Sequence, residues 1–412
     1  MLAGMTMKHA FHLARNVRLF YALAVAREFT PMLAVWVVYL TDFRHLTLTQ
    51  VGVMEGLFWA VKLGLELPSG AFADRFGRRA TFITGIGLEA MGTLVFAFAG
   101  DFTLLVISYV IWSAGLAFRS GNDEAFLYDT LAAGEREQEY SDRLGMYFAL
   151  GTVSLLAGGL AGGVLAQVTT LQVAILAALV PFALAAPVLA LMDEPPRRRH
   201  VEMGIVQTLR SGVRAVAHDA RLRSIVLLEI ALSAAAPAFF LLAQPFLAAH
   251  DVPLAMFGVL AIPVHLARTG AGLVSGRLTR RIGLPSTLAI AVAATVAGLL
   301  WLATIDHVTA FAGLGVAMAG MAIAMPAIGA YVNERTESHV RATVLSVAPM
   351  GVSLVMGAMS AAAGMLAAYS LRVSFGVMAV VILVVAGANY LAWLAAEGRG
   401  RAEDAALQVV EV

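Results

Sequence analysis

The chain has 412 residues, 60% of them hydrophobic and only 13% charged, and a mean hydropathy of +0.82. This balance excludes an ordinary soluble globular protein and implies a polytopic membrane protein. A net charge of +1 offers no basic field for nucleic acid, and the lack of cysteine removes disulfides, thiolate metal sites and cysteine nucleophiles.

Residues 1–18, MLAGMTMKHAFHLARNVR, are polar and basic and lead straight into an apolar run. They show neither the short apolar core nor the small-residue cleavage site of a signal peptide, so the first helix is expected to be retained. A bilayer-spanning helix needs about 20 apolar residues. On that measure twelve are predicted, at 17–41, 49–72, 79–99, 102–131, 142–167, 170–192, 222–248, 254–277, 284–304, 308–332, 341–366 and 370–396. The expected fold is therefore all-α: a six-helix bundle over 1–192, a linker over 193–221, a pseudo-symmetric second bundle over 222–396 and a cytoplasmic tail over 397–412.

Lys and Arg cluster in alternate loops. One set holds Lys8, Arg15 and Arg18; Arg75, Arg78 and Arg79; Arg136 and Arg143; seven arginines in 197–223; Arg277, Arg280 and Arg281; Arg335 and Arg341; Arg399 and Arg401, while the opposite loops carry Arg44 and Arg372. Because cytoplasmic loops collect positive charge, both termini are expected in the cytoplasm of a multi-pass inner-membrane protein. The linker carries Val201, Ile205, Leu209, Val213 and Val216 at three- and four-residue spacing, with Arg210, Arg214 and His218 on the other face. This pattern predicts an amphipathic helix on the inner leaflet.

Four cations fall inside predicted helices: Arg27, Lys62, Arg119 and Arg268. A charge near a bilayer centre costs roughly 2.5 to 3.5 kcal/mol on insertion scales, so each marks a candidate site. A shift of 206 residues aligns Gly52 with Gly258, Gly64 with Gly270, Ser69 with Ser275, Gly70 with Gly276, Arg75 with Arg281, Gly77 with Gly283 and Pro31 with Pro237. Such repeats are common in secondary transporters, where two halves enclose a midplane site. The same shift pairs Lys62 with Arg268 and Trp59 with His265. The four residues are candidates for a substrate cavity; the alternative is local neutralisation, since Glu66 lies one turn from Lys62.

Residues 70–79, GAFADRFGRR, resemble the signature between helices 2 and 3 of the major facilitator superfamily, G-x-x-x-D-R/K-x-G-R/K-R/K. Gly70, Asp74, Arg75, Gly77, Arg78 and Arg79 all match it, and a degenerate copy, GRLTRRIG, lies at 276–283 with Arg280 at the aspartate position. The glycines would permit close helix approach and a tight reversal. The resemblance implies that Asp74 meets the N-terminus of helix 11, near Arg341, and closes a cytoplasmic gate. It also implies a pair between Arg78 and Asp129 at the end of helix 4, and a cavity framed by helices 1, 4, 7 and 10. Helix 5 carries SLLAGGLAGG at 154–163, which partly resembles the G-x-x-x-G-P-x-x-G-G signature of drug/proton antiporters, with Ser154 at its first glycine and Gly159 in place of proline.

Helix 4 ends in a polar run at 119–129, where Arg119 and Asp123 share a face and Ser120, Glu124 and Tyr128 form a second row. Adjacent Asp123 and Glu124 are candidate proton carriers; the alternative is a static Arg119–Asp123 pair. Arg27 and Glu28, just before Pro31, form a further cavity site, and Glu66 and Glu229 are further coupling candidates. Glu89 has no evident role. No G-x-x-x-x-G-K-S/T phosphate loop, H-E-x-x-H zinc motif or long soluble insert is present, so no cofactor, metal or enzymatic activity is expected. The expected function is proton-coupled secondary transport, working as a monomer in the bilayer, that exports small amphipathic organic compounds. The alternatives are transport of an anionic or zwitterionic metabolite held by Lys62 and Arg268, or a membrane binding protein without transport.

Overall fold

The computed structural model describes residues 2–196, 205–336 and 338–410, with side chains for all of these except 2–12, 205–211, 338–346 and 400–410. Among the described residues there is no strand. Among them twelve helical rods follow the apolar runs. They are α1 (Leu2–Glu28, continued in short turns to Phe43), α2 (Leu48–Phe76), α3 (Arg78–Phe98), α4 (Phe102–Ala132), α5 (Tyr140–Val168) and α6 (Leu171–Leu191). After a linker helix, Ile205–His218, come α7 (Ala220–Ala249, in three pieces), α8 (254–282), α9 (284–304), α10 (Phe311–Arg335), α11 (Ser338–Tyr369) and α12 (Leu371–Val410). Nine described stretches are long and apolar enough to cross a membrane, one of them the continuous Leu254–Thr304 that contains both α8 and α9. α1 and α2 are not in that set.

Glycine and proline set the breaks. At Gly77 φ is 107°, and this bend separates α2 from α3; at Gly283 φ is 81°, and the same bend separates α8 from α9. A side chain at a positive φ is strained, which fits glycine at both positions. Pro31 opens the 3-10 turn Pro31–Ala34 that interrupts α1, and Pro237 lies at the start of the short piece Ala236–Phe240 in α7. Each proline lacks the N–H that would continue the helix. The aligned residues of the repeat thus occupy equivalent breaks.

Two compact units result. The first comprises Met1–Leu46, Leu57–Val201 and Asp251–Ala261; the second comprises Thr47–Gly56, Glu202–His250 and Ile262–Val412. In the first, α5 presses its small residues onto the α1 break. A Cβ on Gly158 would lie 2.6 Å from the Thr30 nitrogen, and one on Gly162 would overlap the Pro31 carbonyl. Ser154 donates to the Val25 carbonyl at 2.6 Å. On the other side of the same helix, Gly163 abuts the Leu254 carbonyl. In the second unit Gly52 packs against Ser360 and Gly364 in the same manner. Capping fixes the ends: Asp101 accepts from Leu104 N–H at 2.9 Å, and Glu194 accepts from the Arg78 and Arg79 N–H groups at 2.8 Å each.

The structure departs from the sequence expectation in several places. α4 is not continuous: it stops at Arg119, Gly121 adopts φ 72°, and a new helix runs Asn122–Ala132. α1 begins at Leu2, well before the apolar run, and α12 continues to Val410 beyond residue 396. In the linker helix Val216 is buried but Val213 is exposed, while Val201 lies outside the described residues.

Candidate functional site

Six side chains from four helices of the first unit form one connected charge network. Arg27 of α1 is buried at 3% exposure. Its guanidinium donates to Asp123 of α4 at 2.7 Å, to Glu28 at 3.1 and 3.2 Å, and to the Tyr147 hydroxyl of α5. Arg119 of α4 donates to Glu89 of α3 at 3.4 Å and lies 3.7 Å from Glu28. Glu28 therefore faces both guanidiniums. Glu89, which the sequence left without a role, is buried at 2% and holds Arg119.

Small residues make the room. A Cβ on Gly115 would come within 2.7 Å of the Glu89 side chain, and one on Gly151 within 3.2 Å of that of Glu28. The Gly121 break corrects the predicted Arg119–Asp123 row. With the helix interrupted between them, the two residues no longer share a face, and Asp123 turns to Arg27 while Arg119 turns to Glu28 and Glu89. The second row, Ser120, Glu124 and Tyr128, is cut by the same break.

A cavity of about 300 Å³ opens on this network, walled by Arg27, Glu28, Arg119, Asp123, Glu124 and Tyr147. That is the lower end of the range for small-molecule sites. Counting buried Glu89, four carboxylates stand against two guanidiniums. Glu124 is exposed on the wall and has no ion pair among the described residues.

The other candidates lie apart from this cluster. Lys62 is paired with Glu66 one turn along α2, and its ammonium stands 5.8 Å from the Trp59 ring centre. The Trp59 indole N–H is buried without an acceptor among the described residues. In the second unit the His265 ring meets the edge of Phe239 at 5.1 Å. Arg268 and Glu229 have no hydrogen bond or ion pair among the described residues; Gly272 stands where the repeat would place the counterpart of Glu66.

In the signature loop Arg78 lies 3.3 Å from Asp129. Arg79 donates to the Leu189 and Ala190 carbonyls at 2.8 and 3.0 Å, tying α3 to the end of α6. Arg75 lies over Phe76 at 5.3 Å, and Asp74 is exposed. Gly77 makes the reversal, but Gly70 has open space around it, so no close approach requires a glycine there. The side chain of Arg341 lies outside the described residues. Two participants escaped sequence reasoning. Tyr147 sits in an otherwise featureless stretch of α5, and Glu194 reads as the start of the linker although it caps α3; neither carries a local signal of its partner.

The sequence profile described as the Major Facilitator Superfamily matches residues 19–321. Over 156 residues the chain is 26% identical to the uncharacterized MFS-type transporter YxaM of Bacillus subtilis (strain 168), an alignment spanning 36% of each chain. A bacterial homologue of the human lysosomal transporter Spinster superposes with a TM-score of 0.72 at 17% identity, covering 93% of this chain and 97% of that one. The nucleoside transporter NupG superposes with a TM-score of 0.73 at 12% identity, covering 92% and 98%. At these identities the structural likenesses carry the fold alone.

Proposed function

Because the chain belongs to the major facilitator superfamily, and is thus a membrane transporter of alternating-access fold and not an enzyme, we propose that it is a proton-coupled exporter of small amphipathic organic compounds. It acts as a monomer in the inner membrane with both termini in the cytoplasm. The observation that carries this reading is the acid excess at the first unit's cavity, where Glu28, Glu89, Asp123 and Glu124 outnumber Arg27 and Arg119. Such a site favours a neutral or cationic substrate over an anion. It also leaves at least one carboxylate free to take the proton that balances the charge.

All three line the cavity, but Asp123 is held at 2.7 Å by buried Arg27, whereas the more exposed Glu28 meets Arg27 only at 3.1 and 3.2 Å and Glu124 has no ion pair among the described residues. Glu28 and Glu124 are therefore the proton-carrying pair, and Asp123 positions Arg27. The test is substrate-driven quenching of a pH dye in proteoliposomes. Glu28→Gln combined with Glu124→Gln should abolish proton movement while substrate still binds. Proton flux at the wild-type rate in that variant would refute the assignment.

A second reading has one observation in its favour. Arg268 lacks the acid that neutralises Lys62 in the other half, so an anionic or zwitterionic metabolite could supply the missing charge. Uptake of labelled organic anions that disappears in Arg268→Met, with organic cations untouched, would select this reading over the first.

A further inference from the structure

Most described arginines are engaged: Arg15 with Asp193, Arg27 and Arg119 in the network, Arg78 with Asp129, Arg136 and Arg143 with Glu139, Arg335 with Glu397. A group of cations in the second unit is not. Where the linker helix ends, α7 begins and α12 passes, an open cleft of about 730 Å³ is lined by His218, Arg221 and Arg399 together with Ala215, Asp219 and Ala396. Neither the two guanidiniums nor the imidazole has a hydrogen bond or ion pair among the described residues.

The one acid among the described lining residues is already occupied. Asp219 accepts the backbone N–H groups of Arg221 and Leu222 at 2.7 and 3.2 Å, capping α7. The walls are fixed as well: Arg223 donates to the Ala217 carbonyl at 2.8 Å, which holds the end of the linker helix to α7. Arg214, one turn before His218, is exposed and adds to the same positive field. Two forked donors and an imidazole around a fixed cleft match the three acceptor oxygens of a phosphate group.

We propose that this cleft is a binding site for a phosphate-bearing anion. The group comes either from the headgroup of an anionic phospholipid or from a soluble phosphate. With the topology proposed above, the cleft lies at the headgroup level of the inner leaflet, the anionic one. Bound there, the anion fastens the linker helix to α7 and α12, and so couples the connection between the bundles to the lipid around it.

The experiment measures thermal unfolding of the full chain in nanodiscs. Wild type is compared in phosphatidylcholine alone, in phosphatidylcholine with phosphatidylglycerol, and in phosphatidylcholine with millimolar inorganic phosphate. Wild type is expected to gain several degrees in Tm with phosphatidylglycerol. Arg221→Gln combined with Arg399→Gln should match wild type in phosphatidylcholine, since neither side chain has a partner among the described residues, and should lose more than half of that gain. Arg277→Gln combined with Arg280→Gln removes the same charge elsewhere and should keep it. A gain from inorganic phosphate that is lost in the first variant identifies the soluble source; a gain from phosphatidylglycerol alone identifies the lipid. An undiminished gain in the Arg221/Arg399 variant, or equal losses in both double variants, would overturn the proposal.

Discussion

Among single residues, Arg27 and Asp123 make the sharpest case. Removing Asp123 leaves the buried Arg27 guanidinium with only Glu28 and the Tyr147 hydroxyl; breaking a buried pair outright costs roughly 3 to 5 kcal/mol, the upper bound here. Asp123→Ala should therefore lower the Tm markedly. Arg27→Gln with Asp123→Asn should recover much of the loss, because both charges are then gone. Tm losses that simply add across the double-mutant cycle would show that the two groups do not act as a pair. The same logic separates the two readings of Lys62. Its bond to Glu66 predicts that Lys62→Met alone destabilises, and that adding Glu66→Gln restores the wild-type Tm. If the double variant also transports normally, Lys62 serves the fold and not the substrate.

The elements carry their own test in α5, where two glycines three residues apart in one motif meet different neighbours. Gly162→Ala drives a methyl into the Pro31 carbonyl, whereas a Cβ on Gly159 meets nothing nearer than 4.0 Å. Overpacking of this kind costs about 1 to 3 kcal/mol, so Gly162→Ala should lower Tm and folded yield while Gly159→Ala leaves both unchanged. Equal behaviour of the two would deny that the α1 break is clamped by α5. The position of the rods was legible in the sequence because apolar length sets it. The pairing of Glu89 with Arg119 was not, since nothing local joins residues 30 apart on neighbouring helices. The Gly121 break was also missed: RSGNDE reads as part of one continuous helix, and only the left-handed glycine shows that the helix is interrupted there. Likewise, a glycine in the signature announces a turn equally well at Gly70 and at Gly77, but only the backbone angle singles out Gly77.

For the molecule as a whole, the repeat preserves geometry and divides chemistry. Gly77 and Gly283 bend the same junction, and Pro31 and Pro237 open the same helix in each half. These correspondences were readable from the alignment because backbone constraints act locally. The charges do not correspond. The first unit concentrates acids and arginines around its cavity, while in the second Arg268 and Glu229 have no partner among the described residues. A charge in a membrane persists against its insertion cost only where something compensates it, which is the ground for the anion reading proposed for Arg268. If the halves have divided proton handling from substrate selection, their variants should dissociate. Arg268→Met should change which substrates are carried, read as altered competition in uptake assays, while the protons moved per substrate stay at the wild-type value. Glu28→Gln with Glu124→Gln should do the reverse, preserving the order of substrate affinities while ending proton movement. If Arg268→Met abolishes proton flux for every substrate, the two functions share one site and the division is wrong.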